Sequence, residues 1–343
     1  MERLTEREKR ILELIMFQYI HSAEPIGSRT IEKMMQGRLS SATIRNVMVD
    51  LEEKGFIYKP HVVAGRMPTQ AAFRYYVDTM VTLRRPNKKA IEIIDTLQRS
   101  RFFHFEKLME DASKVLADIS RYTGIVVEPR VDMMIFQEIE FVKLAPTTIL
   151  IVFVTASGMV HTRLVDTEAD LSVEVLTTMK HYMNERFGGR PFYVLKDGIV
   201  EDMHRDRETV NKLLAEIRDS LETIMTSKDE RDIYIDGTSK MIALPEFSDI
   251  ERLKKLLHAL EQKEQLLHLL DHSLKDEGIN VIIGIETDIQ EMRDMSVITS
   301  TYKVGDRSFG VLGVIGPVRM DYSKVIPVVH YTAKAITDIL SAT

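Results

Sequence analysis

Residues 40–69, SSATIRNVMVDLEEKGFIYKPHVVAGRMPT, decide how the N-terminal part of this chain folds. Apolar residues recur there at the i, i+3, i+4, i+7 spacing of an amphipathic helix, with Ser40 or Ser41 available as N-cap and Gly55 as the terminating residue. The apolar positions are Ile44, Val47, Met48 and Leu51. The positions that then face outward are Ala42, Arg45, Asn46 and Val49.

The order of charges along this helix is the reverse of the order that its dipole favours. Arg45 lies in the first turns, whereas Asp50, Glu52 and Glu53 lie in the last ones, and a helix dipole stabilises acidic residues at the N-terminus and basic residues at the C-terminus. Docking of the N-terminal end into a DNA major groove explains this order, because Arg and Asn side chains reach base edges there. Any surface helix can also carry an Arg and an Asn, so the neighbouring segments decide.

The segments before this helix complete a helix-turn-helix order. Thr5 and Glu8 form a capping box that opens a long helix, which Pro25 and Gly27 close. A short helix near SRTIEKMM follows and carries Arg29, a further candidate DNA contact. In this order the third helix is the one that enters the groove, and its Ser41, Ala42, Thr43, Arg45 and Asn46 are the predicted contacts.

The segments FIYKP and VVAGRMP after the helix are short β-prone runs that predict a wing. Their small and basic residues suit a hairpin lying on the sugar-phosphate backbone, as such contacts position a protein on DNA. The candidate contacts are Lys59, His61, Gly65 and Arg66. A solvated hairpin charge is the alternative for Arg66.

Charge is distributed unevenly along the chain. The whole sequence is acidic, with 46 Lys and Arg against 52 Asp and Glu, but residues 1–85 hold 14 basic and 10 acidic residues, leaving 32 and 42 for the remainder. Affinity for DNA depends on the patch that faces the phosphates rather than on net charge. The basic excess therefore lies in the segment that carries the predicted helix-turn-helix.

Composition excludes several classes of protein. The 343 residues, 44% of them hydrophobic, are enough for two or three domains with their own cores. The absence of Cys excludes disulfides, Cys-based zinc fingers and thiol catalysis, and suits a reducing compartment. The start, MERLTEREKR, is charged, and the longest apolar run, 149–154, is far below the roughly 20 residues of a membrane span. We expect a soluble cytoplasmic protein with no membrane partner.

The rest of the chain predicts an α+β multidomain organisation. A helix leads out of the first domain, 1–85, through the linker RRPNKK, and a charged helix over about 88–122 follows. EIEFVKL, TTILIVFV and MVHTRLVD are predicted antiparallel strands, with Ser157 and Gly158 in the last turn, and a helix over about 170–187 comes next. The predicted elements that follow much later in the chain are the strands NVIIGIE, MSVITSTYKV and SFGVLGVIGP and a C-terminal helix, 322–340. Together with the earlier strands and helix they are predicted to form one α+β sandwich.

A mainly helical insert, 190–278, is predicted to interrupt that sandwich, with a strand-like DIYIDG inside it. It would divide the sandwich into a first part, 86–189, and a second part, 279–343. Leucines recur in the insert every seven residues, a spacing that favours a helix-helix seam between subunits or within a helix hairpin of the domain. These leucines are Leu253, Leu260, Leu267 and Leu274.

Sites of chemistry are not evident in the sequence. The run GVLGVIG at 310–316 has its glycines inside β-type apolar sequence and lacks the strand, turn and helix order of a dinucleotide fingerprint, so close strand packing is favoured. His268 and His272 have a metal-compatible spacing, but no third ligand accompanies them, which favours a solvated helix face. We predict no cofactor, no metal site and no enzymatic activity.

Four segments resemble the HrcA family of heat-inducible transcription repressors, and the likeness extends over nearly the whole chain. They are SSATIRNVMVDLEEKGFI, PHVVAGRMPTQAAFRYYVD, PEFSDIERLKKLL and GVLGVIGPVRMDYSKVI. The resemblance implies a winged helix-turn-helix domain and a GAF-like domain split by an inserted dimerising domain. It also implies a homodimer on a long inverted-repeat (CIRCE-type) operator before chaperone genes, and a GroEL-type chaperonin as partner.

Position by position, Ser41, Thr43, Arg45 and Asn46 match the recognition helix of that family, and His61, Gly65 and Arg66 match its wing. The sequence departs from the family pattern at Val62, Val63 and Met67, within the wing. A TIR segment also occurs in DeoR-type regulators. A DeoR-like or other winged-helix regulator, controlled by a small-molecule ligand in the GAF-like domain, is therefore the alternative.

Overall fold

The structure is a computed structural model. It describes residues 4–61, 64–99, 105–129, 134–156, 158–167, 170–192, 194–195, 231–275, 278–304 and 307–342. The predicted wing residues Val62 and Val63, the predicted turn residue Ser157 and residues 196–230 of the predicted insert lie outside these ranges.

Three helices form the N-terminal unit, as the sequence predicts: α1 (Glu6–Ser22), α2 (Ser28–Met34) and α3 (Ser41–Glu53). The predicted capping box opens α1, because the Thr5 hydroxyl accepts from the Glu8 N–H while the Glu8 carboxylate accepts from the Thr5 N–H. Both α1 and α3 bury the apolar face that their periodicity predicts. The stripe on α3 packs in one core with Ile11, Leu12 and Ile15 of α1.

A short hairpin and a fourth helix complete this unit. The strands β1 (Ile57–Tyr58) and β2 (Met67–Pro68) pair antiparallel, and α4 (Gln70–Thr79) starts directly after them with Thr69 as its N-cap. The first four residues of the predicted linker RRPNKK lie in the stretch 81–87, which forms no helix or strand, and its two lysines, Lys88 and Lys89, begin the next helix. The predicted helix over 88–122 is divided into α5 (Lys88–Ile94), a 3₁₀ turn (Asp95–Arg99) and α6 (Phe105–Ser120).

A five-stranded antiparallel sheet forms the centre of the body. Its strand order is β7-β3-β10-β9-β8. The strands are β3 (Thr123–Val127), β7 (Ile233–Asp236), β8 (Ile279–Ile283), β9 (Met295–Val304) and β10 (Arg307–Pro317). The GVLGVIG run lies in β10 and pairs on both sides, which confirms its interpretation as a packed strand.

A second sheet lies between β3 and β7 in the sequence. It consists of β4 (Phe136–Lys143), β5 (Thr148–Thr155) and β6 (Val160–Asp166), paired antiparallel in that order, as the sequence predicts. One face packs against α7 (Val173–Phe187), and alternate residues of β5, namely Ile149, Ile151 and Phe153, are buried there.

Helices cover both faces of the five-stranded sheet. On one face lie α6 and the C-terminal helix α11 (Tyr322–Ala342). On the other lie α9 (Ile250–Glu261) and α10 (Lys263–Lys275), which follow the short helix α8 (Thr238–Ile242). The sheet residues that contact this second pair of helices include Ile125, Val127 and Val311. The body is therefore a layered α+β arrangement with a buried sheet.

The sheet topology corrects the predicted division of the body. The predicted insert, 190–278, contains β7, which pairs with β3, and α9 and α10, which cover the five-stranded sheet. The segment that is inserted between two strands of this sheet instead begins after β3 and ends before β7, and it holds β4, β5, β6 and α7. The strands predicted as one sandwich therefore lie in two sheets, because strand pairing is set by contacts that are distant in sequence.

The predicted leucine seam faces the chain's own sheet. Leu267 is 1% exposed, and Leu253, Leu260 and Leu274 are partly buried against the same apolar cluster. The leucines do not lie on one continuous helix, because α9 ends at Glu261 and α10 begins at Lys263. The spacing thus produces a helix pair packed within the body, the second of the two predicted outcomes.

Candidate nucleic-acid interface

The helix α3 presents its polar face near its N-terminal end. Ser40 is the N-cap, and its hydroxyl accepts from the Thr43 N–H at 3.2 Å. Ala42, Arg45 and Asn46 are exposed, as predicted. Among the described residues, the side chains of Arg45 and Asn46 have no hydrogen-bond or ion-pair partner. They are available to an external ligand.

The start of α3 is fixed to α2 by two polar contacts. The hydroxyls of Ser28 and Ser41 lie 2.9 Å apart, and the Ser41 N–H donates to Oε1 of Glu32 at 3.2 Å. Ser41 and Thr43, both predicted DNA contacts, therefore take part in contacts within the chain, since Thr43 Oγ1 lies 2.9 Å from Ser40 Oγ. These contacts set the position of α3 against α2, on which Arg29 is exposed.

The hairpin is fixed to the loop between α1 and α2 by a backbone bridge. The N–H of Ile26 donates to the carbonyl of Arg66, and the N–H of Arg66 donates to the carbonyl of Ile26, both at 2.8 Å. Gly65 allows this approach, because a Cβ there would lie 2.5 Å from the Ile26 carbonyl. Gly65 therefore has a packing role that the sequence alone does not reveal.

Arg66 lies against α3 rather than in solvent. Its Nη2 atom donates to Oε2 of Glu52 at 2.9 Å, its Nε donates to the same oxygen at 3.2 Å, and its side chain is 14% exposed. Neither alternative predicted for this residue, a phosphate contact or a solvated charge, describes the contact that the structure shows. Lys59 and His61 are exposed in the same hairpin.

Two ion pairs lie at the C-terminal end of α3, one of them to a carboxylate of α1. Glu52 binds Arg66, and Lys54 at the C-cap donates to Oε1 of Glu8 at 2.7 Å. The hydrogen bond from Lys54, with further bonds from Thr5, lowers the pKa of the Glu8 carboxyl despite its burial. The two acidic groups are thus held by cations of the protein, and Arg45 remains as a free cation of α3.

This arrangement has the donor chemistry that DNA recognition uses. Arg pairs with the O6 and N7 acceptors of guanine, and Asn pairs with the N6 and N7 groups of adenine, in a major groove that admits an α-helix. Arg45 and Asn46 are exposed on one face of a 13-residue helix whose other face is buried. No group of three or more His, Asp or Glu side chains within the described ranges could hold a metal ion.

Elsewhere, His268 and His272 are exposed, and their rings lie 4.9 Å apart, centroid to centroid. A cleft of about 420 Å³ lies where the hairpin meets the body. Its walls include Tyr19, Tyr58, Arg252, Lys255 and Arg319. No helix in the described part of the chain combines the length and apolar character that membrane crossing requires.

Comparison with known proteins places this chain among transcription repressors. The family model of the HrcA protein C-terminal domain matches residues 106–326. A heat-inducible transcription repressor HrcA of Geobacter sulfurreducens is 42% identical over 337 residues, 98% of each chain, and one of Syntrophobacter fumaroxidans is 36% identical over 99% of this chain and 98% of that protein. The corresponding protein of Bacillus pumilus is 34% identical and covers 98% of each chain.

A solved structure supports the fold. The crystal structure of a hypothetical protein matches 99% of both chains with a TM-score of 0.62 at 21% sequence identity. The sequence likeness extends through the helix α3 and the hairpin as well as the body, because the relatives match 98% or more of this chain. The chain therefore belongs to the HrcA family of heat-inducible transcription repressors.

Proposed function

We propose that this protein is a cytoplasmic, homodimeric repressor that binds an inverted-repeat (CIRCE-type) operator of chaperone genes through a winged helix-turn-helix. The observation that carries the proposal is the exposed pair Arg45 and Asn46 on α3 of a chain whose relatives are heat-inducible repressors. In this proposal, α3 enters the major groove, where Arg45 and Asn46 bind base edges and Ala42 contacts a thymine methyl.

The other predicted DNA contacts divide into two groups by their surroundings. Arg29, Lys59 and His61 are exposed and would bind phosphates, a contribution that weakens as salt rises. The second group has its polar or backbone atoms in contacts within the chain, and it would act mainly by holding α3 and the wing in place. It consists of Ser41, Thr43, Gly65 and Arg66.

An inverted repeat requires two copies related by a twofold axis. The exposed face of the sheet β4-β5-β6 is the surface that we propose for a second copy. Val142, Leu150 and Leu164 lie side by side across the three strands, and Val142 and Leu164 are exposed. An exposed apolar row across the face of a sheet is a surface that proteins often cover with a partner. We do not propose this role for the seam of Leu253, Leu260, Leu267 and Leu274, because these leucines pack against the chain's own sheet.

Control by heat would follow from marginal stability. We propose that a GroEL-type chaperonin keeps the repressor in its folded, DNA-binding state and that heat or competition from other unfolded clients relieves repression. A protein that is only a few kcal/mol stable loses its folded population steeply on warming. The physical basis for chaperonin binding is the apolar surface that partly unfolded chains expose.

A small-molecule regulator is the second candidate. The cleft between the hairpin and the body favours it, because a ligand there would touch both units, and its volume of about 420 Å³ lies within the usual range for ligands. Calorimetry against metabolite panels, followed by operator binding with and without the hit, separates this candidate from chaperonin control.

The main test is selection of DNA from a random pool by the full-length protein, with and without chaperonin, followed by gel retardation. We expect an inverted repeat to be selected, and we expect Arg45→Ala to lose most of the sequence-specific affinity. Lys114→Ala is the matched control, because it removes one exposed cation from α6 in the body. Full retention of specific binding by Arg45→Ala would overturn the assignment of α3 as the recognition helix.

The chaperonin arm of the test uses a heat pulse. Retardation of the selected operator should fall after the pulse and recover faster when chaperonin and ATP are present. Equal recovery with and without chaperonin would exclude the chaperonin from the proposal and leave the DNA-binding assignment intact.

A further inference from the structure

The N-terminal unit is fastened to the body by the side chain of Gln70, the first residue of α4. Its Oε1 atom accepts from the Ile285 N–H at 2.8 Å, and its Nε2 atom donates to the Arg293 carbonyl at 3.0 Å. Gly284 makes room for it, because a Cβ at Gly284 would lie 2.3 Å from the Gln70 side chain. One amide thus closes two hydrogen bonds to a loop more than 200 residues away in sequence.

Arg74, one turn further along α4, makes the second fastening. Its Nη2 donates to the Val281 carbonyl at 2.6 Å, and its Nε donates to Oε1 of Glu286 at 2.7 Å. A further bond joins Nη2 to the same carboxylate, so the pair is bidentate. The Glu286 carboxylate raises the pKa of Arg74, which stays charged. We call Gln70 and Arg74, with their partners in 281–293, the α4 latch.

Two other contacts join the same units. The rings of Phe73 and Tyr322 lie 6.1 Å apart, centroid to centroid, and both side chains are buried. Arg319 donates from Nη1 to the carbonyl of Ile20 at 2.8 Å while it binds Glu246. The N-terminal unit therefore meets the body through directed polar contacts around an apolar centre, which allow one orientation and oppose free rotation.

We propose that the α4 latch sets the half-site spacing of the operator, with Gln70 and Arg74 as positioning residues. This inference rests on the proposed function, since it assumes two copies on an inverted repeat. The distance between two recognition helices of a dimer selects the distance between half-sites, about 34–36 Å for one turn of DNA or a multiple of it. That distance depends on the angle at which each N-terminal unit is held on its body, and the latch fixes this angle.

The test uses the full-length protein and two kinds of DNA. One kind carries a single half-site of the selected operator, and the other carries both half-sites with the spacer changed one base pair at a time. The wild type is expected to show a sharp optimum of affinity at one spacer length. In Arg74→Ala, the ratio between the affinity for the best spacer and the affinity for the other spacers should fall by roughly tenfold, which is the scale of losing a charge-assisted bond. The affinity of this variant for a single half-site should stay within about twofold of wild type.

Asp78→Asn is the matched control. Asp78 binds Arg74 within α4, at 3.2 Å from Nη1, and its loss leaves the crossing contacts of the latch in place. This variant should keep the wild-type spacing profile. Gln70→Ala is the second latch variant, and it decides the test if circular dichroism shows that Arg74→Ala is misfolded.

Two results would overturn the inference. One is an unchanged spacing optimum in the folded latch variants. The other is a rise in their affinity for the complete operator, which would mean that the latch holds an arrangement that does not bind DNA. Failure of the proposed function looks different, because wild-type protein would then show no preference for two half-sites over one.

Discussion

The guanidinium of Arg66 and the carboxylate of Glu52 join the hairpin to the last turn of α3, with Nη2 and Oε2 2.9 Å apart. The ion pair is partly buried, since the Glu52 side chain is 33% exposed and the Arg66 side chain is 14% exposed. Arg66 is also the residue whose backbone bridges to Ile26. One residue therefore connects the hairpin to two parts of the helical unit.

We expect Glu52→Gln and Arg66→Ala to weaken operator binding by similar factors of about five to ten, because each loosens the hairpin on α3. The double variant should lose little more than either single variant, since the two residues act through one contact. Gel retardation over a range of salt concentrations measures both effects. A larger loss for Arg66→Ala, with the salt slope reduced by about one, would instead identify Arg66 as a phosphate contact.

Asn46→Ala should change which base the protein prefers rather than its general affinity for DNA. Loss of a bidentate contact to one base costs about 1–3 kcal/mol and relaxes selection at that position only. Repeating the random-pool selection with the variant measures this directly. If the variant and the wild type select the same sequence, Asn46 does not contact a base.

The pair of Glu8 and Lys54 should make the N-terminal unit sensitive to acid. The pKa of Glu8 is lowered in the folded protein, so its contribution to stability is present above the unfolded value of about 4.5 and is lost as the pH falls through the folded value. Urea unfolding followed at several pH values should show this decline, and Glu8→Gln should reduce it. An equally steep decline in Glu8→Gln would assign the acid sensitivity to other carboxylates.

Features that depend on neighbouring residues could be predicted from the sequence. The capping box of Thr5 and Glu8, the buried stripe of α3 and the antiparallel order of β4, β5 and β6 all arise from contacts between nearby residues. The assignment to a family of repressors rather than to enzymes is likewise confirmed by the relatives.

Features that depend on distant residues could not be predicted. The strand β3 is buried at every position, so it lacks the alternation that marks a half-exposed strand, and its neighbours β7 and β10 are more than 100 residues away. Arg66 and Gln70 show the same limit at the level of side chains, because their partners are set by the fold. Heptad spacing likewise does not reveal whether the surface that covers the leucines belongs to the same chain.

Leu267→Ala should destabilise the body by about 2–5 kcal/mol, because it leaves a cavity at a side chain that is 1% exposed. Urea unfolding measures the loss, and Leu257→Ala, on the exposed side of α9, is the control that should cost much less. Sedimentation of the folded variant should show an unchanged oligomeric state. A variant that keeps wild-type stability but no longer dimerises would instead show that the leucines form part of the subunit interface.

Leu164→Lys should separate the proposed dimer into monomers while each monomer keeps its fold. Leu164 is 61% exposed and lies in the row with Leu150 and Val142, so a lysine there costs little in the monomer but places two like charges across a twofold interface. Ile250→Lys, the same type of change at the exposed start of α9, is the control and should remain a dimer. Sedimentation over a concentration series measures both variants, and binding to a single half-site should survive in each. A Leu164→Lys protein that still sediments as a dimer would show that the second copy binds elsewhere.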